Sequence, residues 1–260
     1  MPEFKEVVVL DTEYHPPAGS RPTPICLVAR NIATGQDSRL WAYDGLRPAS
    51  PPFPIGDDTL VVTWYGPAEW GYHLAMGWPF PKWTVDLYAE YRRRFNGMLE
   101  KGESSLLYAL SKLGLPGIEA AEKAERRSLA IRGGPFTEAE RVELLDYCAS
   151  DVVATEGIFR ALAPTIDFPR ALLRGTYTQS VARMEWLGVP IDTDLLSRLL
   201  ARWSEIETTL VRRIDTAYGV YEIDSAGEAH FRIERFKRYL AQHRMPWPRL
   251  ESGALDLAGC

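Results

Sequence analysis

Asp11, Glu13, Glu69, Tyr147 and Asp151 are acids and a phenol whose arrangement along the chain suits a catalytic site. Asp11 and Glu13 close the apolar run VVVL two residues apart, so a continuing strand puts both on one face. Pro16 and Pro17 forbid further pairing just beyond them. Tyr147 and Asp151, in DYCASDVVAT, are four apart and project from one helix face a turn apart. Each pair alone has a plain reading, a strand closing on surface charge or a packed Tyr beside an exposed Asp. Taken together, three carboxylates and a phenol from a strand and a late helix make a hard-oxygen cage suited to divalent cations. A fourth acid has two candidates. Glu69 follows the VVTW strand by five residues, in a short helix begun by Pro67, whereas Asp86 precedes LYAEYR at a place where an Asp commonly caps a helix.

The chain around these groups falls into two unlike parts. VVVLD (7–11), PICLVAR (24–30), RLWAYD (39–44) and TLVVTW (59–64) read as strands between Pro, Gly, Asn and Asp clusters, which lays down a sheet early. Helices are predicted over about 67–77, from Val85 to about Arg94, and in SSLLYALSKLGL up to Gly114. Thr137 and Glu140 form a T-x-x-E capping box that starts a long helix running to about Ala161. Pro164 and Pro169 bracket a linker. Beyond it the chain reads as all-helical, with TYTQSVARMEWLG closing on Gly188 and a helix capped by Asp192 that aligns Leu195, Leu199, Trp203, Ile206, Leu210 and Ile214. The expected architecture is therefore α/β followed by a small all-helical segment, with domains at 1–165 and 166–260.

Composition excludes several classes. The chain of 260 residues is 46% hydrophobic, enough for a packed core, and its longest apolar runs fall far short of a bilayer span. The first residues lack the basic-then-apolar order of a secretion signal, so the expected location is intracellular, in the cytoplasm, with no membrane partner. Cys26, Cys148 and Cys260 are scattered without a C-x-x-C, and the first two read as core thiols. Residues 1–165 hold 17 Lys and Arg against 22 Asp and Glu, while 166–260 hold 13 of each, so the acidic excess lies with the sheet. A net charge of −5 argues against coating nucleic acid non-specifically and is compatible with an acidic site that holds cations.

These motifs resemble those of the DEDDy 3′–5′ exonucleases, in particular the proofreading domain of family A, polymerase I-like DNA polymerases. The D-x-E of Asp11 and Glu13 resembles the family's first motif and the Y-x-x-x-D of Tyr147 and Asp151 its third. At the place of the second, VVTWYGPAEWGYHLAMGWP puts Tyr65 where the family commonly has Asn and Glu69 where it has a carboxylate. The string MEWLGVPID, within TYTQSVARMEWLGVPIDTDLLSRLLARW, is similar to the opening helices of the family A polymerase region. The chain stops at Cys260 before any palm or fingers, which reads as a fragment or as a protein without its polymerase.

The resemblance implies a ribonuclease H-like exonuclease fold, with a mixed central sheet flanked by helices, and two-metal phosphodiester hydrolysis with Mg²⁺ or Mn²⁺. It implies that Asp11 bridges both ions, Glu13 and Asp151 complete one site, Glu69 serves the second ion through water, and Tyr147 orients the attacking water. The implied substrate is a single-stranded DNA 3′ end, with a polymerase domain in cis or in trans as possible partner. Tyr14, Trp64, Tyr65 and Trp70 lie beside the motifs and could stack on bases, and Arg127, within the cluster Lys123, Arg126, Arg127 and Arg132, could meet phosphate. Two alternatives stay open: an RNA 3′-processing nuclease of the ribonuclease D kind, and a catalytically silent scaffold that binds nucleic acid.

Overall fold

The computed structural model describes residues 4–15, 20–117 and 120–257. The chain divides into two compact units, Met1–Val189 and Pro190–Cys260. In the first, β1 (Glu6–His15), β2 (Thr23–Asn31), β3 (Asp37–Trp41), β4 (Thr59–Thr63) and β5 (Trp83–Asp86) form one sheet in the order β3-β2-β1-β4-β5. The β3-β2-β1 half is antiparallel and the β1-β4-β5 half parallel. Strand β5 was not separated by sequence from the helix after it: Val85 is in the strand, and the helix α2 covers Leu87–Arg94.

The alternation along β1 sorts its residues onto two faces. Val9 packs with Val28 and Val62 against Leu144, Cys148 and Val152 of α5 (Glu138–Leu162). Val8 and Leu10 pack with Val61 against Trp70, Tyr72 and Met76 of α1 (Gly66–Met76). Both faces are covered, which is why the middle strands are almost wholly apolar. The α5 face also carries α3 (Leu106–Lys112), and α4 (Ala120–Arg132) packs against α5 and β1. Thr137 caps α5 with the expected reciprocal box: its hydroxyl accepts from the Glu140 N–H while Glu140 accepts from the Thr137 N–H.

Helix α6 (Phe168–Leu187) packs on α1 and along the edge strand β5. Gly175 permits this closeness, since a Cβ there would collide with the Thr84 carbonyl. Three polar joints fix the helix: Trp70 Nε1 donates to Thr178 Oγ1 at 3.0 Å, Arg174 meets Glu90 of α2 at 2.6 Å, and Gln179 Nε2 donates to the Pro81 carbonyl at 2.8 Å. Helix α6 thus lies within the first compact unit, although its residues were grouped above with the segment from 166 on. Pro169 is no linker residue: it occupies the first turn of α6, where its missing N–H costs nothing, and Asp167 caps the helix.

The second unit contains α7 (Thr193–Ala201), α8 (Trp203–Asp215), β6 (Tyr221–Ile223), β7 (Ala229–Phe231) and α9 (Ile233–Gln242). It is not all-helical, because β6 and β7 pair as an antiparallel hairpin. Asp224 holds the turn by accepting from the N–H groups of Ala226 and Glu228, and Gly227 takes φ 88° there. The single stripe expected from Leu195 to Ile214 is split at Arg202, which leaves helical geometry at φ −117°, ψ 15°. Asp192 caps α7 as expected. Among the described residues no helix is long and apolar enough to cross a membrane. Pro16, Pro17, Cys260 and the Lys123 side chain lie outside the described residues.

Candidate active site

Strand β1 outlasts its parallel neighbour. Its pairing with β4 ends at Leu10 opposite Thr63, while its pairing with β2 continues to His15, with a bulge between Glu13 and Tyr14. A crevice therefore opens at the carboxyl ends of β1 and β4, the place where open α/β sheets bind ligands. Asp11 and Glu13 point from β1 to the α5 side, and α5 presents Leu144, Tyr147, Cys148, Asp151 and Val152 to the sheet at helical spacing. The buried Cys148 thiol donates to the Asp11 carbonyl at 3.1 Å, which fixes α5 on β1 at the level of the acids. Cys26 and Cys148 are both buried free thiols, as the sequence indicated.

One oxygen each of Asp11, Glu13 and Asp151 lie within 4.8 Å of one another. Asp151 is 5% exposed and Tyr147 4%. Glu69 arrives from the opposite side, on the first turns of α1, and is 4% exposed. Its carboxylate accepts from the Thr12 hydroxyl at 2.6 Å, so the residue between the two motif acids on β1 anchors the fourth acid. Burial, followed by the negative charge of Asp11, holds the Glu69 carboxyl well above the usual carboxylate range, and only the Thr12 bond opposes this. Burial, then the charges of Asp151, Glu13 and Asp11, likewise push the Tyr147 phenol upward. A donor set of three close carboxylates beside a fourth is all hard oxygen, and it fits Mg²⁺ or Mn²⁺ rather than a thiophilic ion.

A cavity of about 420 Å³ joins these groups. Asp11, Glu13, Glu69, Tyr147 and Asp151 all line it, as do Tyr14, Trp64, Tyr65 and Arg127. Trp64 stands edge-on to Tyr88 and near Tyr91, and Tyr65 edge-on to Tyr88, which limits how the two rings can turn. Trp70 is absent from the lining: it is fully buried between the sheet and α6 with its indole N–H spent on Thr178, so it has no surface for a base. Asp86 is also elsewhere. It caps α2 by accepting from the Ala89 N–H at 2.7 Å, and it accepts from the Gly66 N–H of α1 at 2.9 Å. Ala68, Ser105 and Leu106 also line the cavity, as do three residues that no sequence motif marks, Thr12, Ala130 and Ile131. The last two come from α4, an unassigned stretch whose run of Ala, Glu, Lys and Arg was itself a helix signal.

No family model matches the chain, and no curated protein matches it. Among solved structures, one described as the apo form of a nuclease superposes with a TM-score of 0.54 at 16% identity, covering 73% of this chain and 90% of that one. Weaker likenesses are Escherichia coli RNase D, described as an exoribonuclease involved in structured RNA processing (TM-score 0.49, 13% identity, 68% of this chain and 44% of that one), and the Aedes aegypti Nibbler EXO domain (0.41, 10%, 65% and 85%). The mixed five-stranded sheet flanked by helices is the ribonuclease H-like fold.

Proposed function

We propose that the first unit is a metal-dependent 3′–5′ exonuclease that removes nucleotides from a single-stranded DNA 3′ end. The observation that carries this reading is the convergence of Asp11, Glu13 and Asp151 in one cavity with Glu69 and Tyr147. Asp11, Glu13 and Asp151 would hold divalent ions, with Glu69 as the further acid. Such ions, when bound, neutralise the charge of the phosphodiester and make water a stronger nucleophile. Tyr147 keeps its proton at neutral pH, so it serves as a hydrogen-bond donor that orients water or a phosphate oxygen, not as a base. Arg127 supplies positive charge at the cavity wall, and Trp64, Tyr65 and Tyr14 supply faces for a terminal base.

The preference for DNA, with a polymerase partner in cis or in trans, rests on the likeness of MEWLGVPID and the residues around it to the start of a family A polymerase region. The test is 5′-labelled single-stranded DNA and RNA of one sequence, each with and without Mg²⁺ or Mn²⁺. The expected result is a DNA ladder that shortens from the 3′ end only when metal is present. A ladder for RNA alone would transfer the site to RNA processing, and no shortening of either would leave a scaffold.

A further inference from the structure

A second and larger opening adjoins the acid cavity. It measures about 710 Å³, and its walls include Tyr14, Arg21, Ala68, Glu185 and Trp186. Tyr14 and Ala68 line both cavities, so the two adjoin at these residues. Glu185, Trp186 and Leu187 of its lining come from the last turn of α6. A terminal nucleotide seated at the acids must be followed by the rest of its strand. The adjoining cavity is the larger of the two and lies beside the acids' own.

We propose that Arg21 and Trp186 form a subsite for the nucleotide that precedes the scissile phosphodiester, with Arg21 gripping its phosphate. The proposal rests on the nuclease reading above. The Arg21 guanidinium carbon lies 4.4 Å from the centre of the Trp186 ring. A guanidinium held over a ring in this way can keep N–H groups free to meet a phosphate in two-pronged fashion. Among the described residues no carboxylate forms an ion pair with Arg21. Trp186 is half-buried, so the platform under the arginine is fixed by the body of α6. Tyr14 sits at the junction, in the lining of both cavities, where its hydroxyl can donate to a phosphate or sugar oxygen. Glu185 is the acid of this wall, and a phosphate held by Arg21 passes close to it. That gives the subsite a signature of sign: removing Glu185 should strengthen what removing Arg21 weakens.

The experiment measures fluorescence anisotropy of a 5′-labelled single-stranded DNA 12-mer, with Asp11→Asn as background so that the strand stays intact. Arg21→Ala and Trp186→Ala should each weaken binding about tenfold. Arg21→Lys should weaken it less, because charge survives while the stacked fork is lost, and Glu185→Gln should tighten it about twofold. Trp186→Phe keeps a ring on α6 and serves where Trp186→Ala does not fold. Affinity for thymidine 5′-monophosphate should stay unchanged in the Arg21 variants. Unaltered strand binding in a folded Arg21→Ala variant overturns the proposal, as does an equal loss for strand and mononucleotide, which would assign Arg21 to the terminal nucleotide. Failure of the nuclease reading looks different: the parent protein with Mn²⁺ shortens no strand, whatever the binding shows.

Discussion

Glu69 and Glu90 are the two buried glutamates among the described residues, at 4% and 1% exposure, and the chain treats them in opposite ways. Glu90, on α2, stands between Arg93 at 3.1 Å and Arg174 of α6 at 2.6 Å. Its charge is met by the protein's own cations, and the result is a joint between two helices. Glu69 has a hydroxyl for a partner and Asp11, Glu13 and Asp151 for neighbours, so its charge is opposed on every count except the Thr12 bond. A buried acid surrounded by arginines is architecture, while a buried acid surrounded by acids costs stability unless a cation arrives from outside. The acid cavity is therefore the place where the fold accepts strain that a bound ion would relieve.

The strongest way to break this contrast is at Asp11. Asp11→Asn should reduce Mg²⁺-dependent hydrolysis to background while the metal-free protein melts at the same temperature or higher, since one of the repelling charges is gone. Parent protein should gain thermal stability when Mg²⁺ or Mn²⁺ is added, by about 2.7 kcal/mol at a hundred times the dissociation constant, and the variant should gain much less. Nuclease assays and melting curves run on the same samples check both. A variant that cleaves like the parent would remove the acids from the chemistry altogether.

Exchanging the two glutamates' environments sharpens the contrast at the next scale. Arg174→Met leaves Glu90 buried with Arg93 alone and should lower stability by about 3 kcal/mol, with hydrolysis per folded molecule unchanged. Glu69→Gln should do the reverse. The amide can still accept from Thr12, so the melting temperature should hold or rise, while metal-dependent hydrolysis falls about 10- to 100-fold. Melting by circular dichroism beside initial rates separates the two. If Glu69→Gln melts early and cleaves normally, Glu69 is a structural residue like Glu90.

What the sequence made legible follows from periodicity. A spacing of two on a strand and of four on a helix fixes which side chains share a face, so D-x-E and Y-x-x-x-D could be placed before any tertiary contact was known. The capping box at Thr137 worked for the same local reason. Neighbours in sequence on a helix were less well served. Glu69 and Trp70 lie about 100° apart around α1, and one reaches the cavity while the other fills the core, a choice that only the position of α6 decides. The end of the first unit was misplaced because prolines mark both linkers and helix starts, and Pro169 is a start. Thr12, Arg21 and Trp186 carry no pattern of their own, since each matters through a partner more than fifty residues away in the chain.

The smallest expected effect belongs to Asp86, the acid that competed with Glu69 for the fourth place and occupies a third kind of environment. It is buried without a cation and without other acids of the cavity, and it accepts from two helix N-termini. Burial wins over those bonds and pushes its carboxyl up to about 6 from an ordinary 3.8. A carboxyl raised in the folded state binds its proton more tightly there than in the unfolded chain. Its contribution to stability is therefore fully present below about pH 3.8 and is lost as pH rises through about 6. Asp86→Asn remains a fair cap but keeps one carbonyl for two N–H groups, so it should cost about 1 kcal/mol near neutral pH and leave hydrolysis intact. The deficit should widen as pH is lowered from about 6 towards 4, because only the parent then gains from protonation. His73, held neutral and pushed down to about 4 by burial, titrates in the same interval with the opposite sign, but it is present in both proteins and cancels in the difference. Urea unfolding of the pair across this range reads the effect directly. A difference that stays constant with pH would mean that Asp86 remains ionised in the fold, held by the two helix ends.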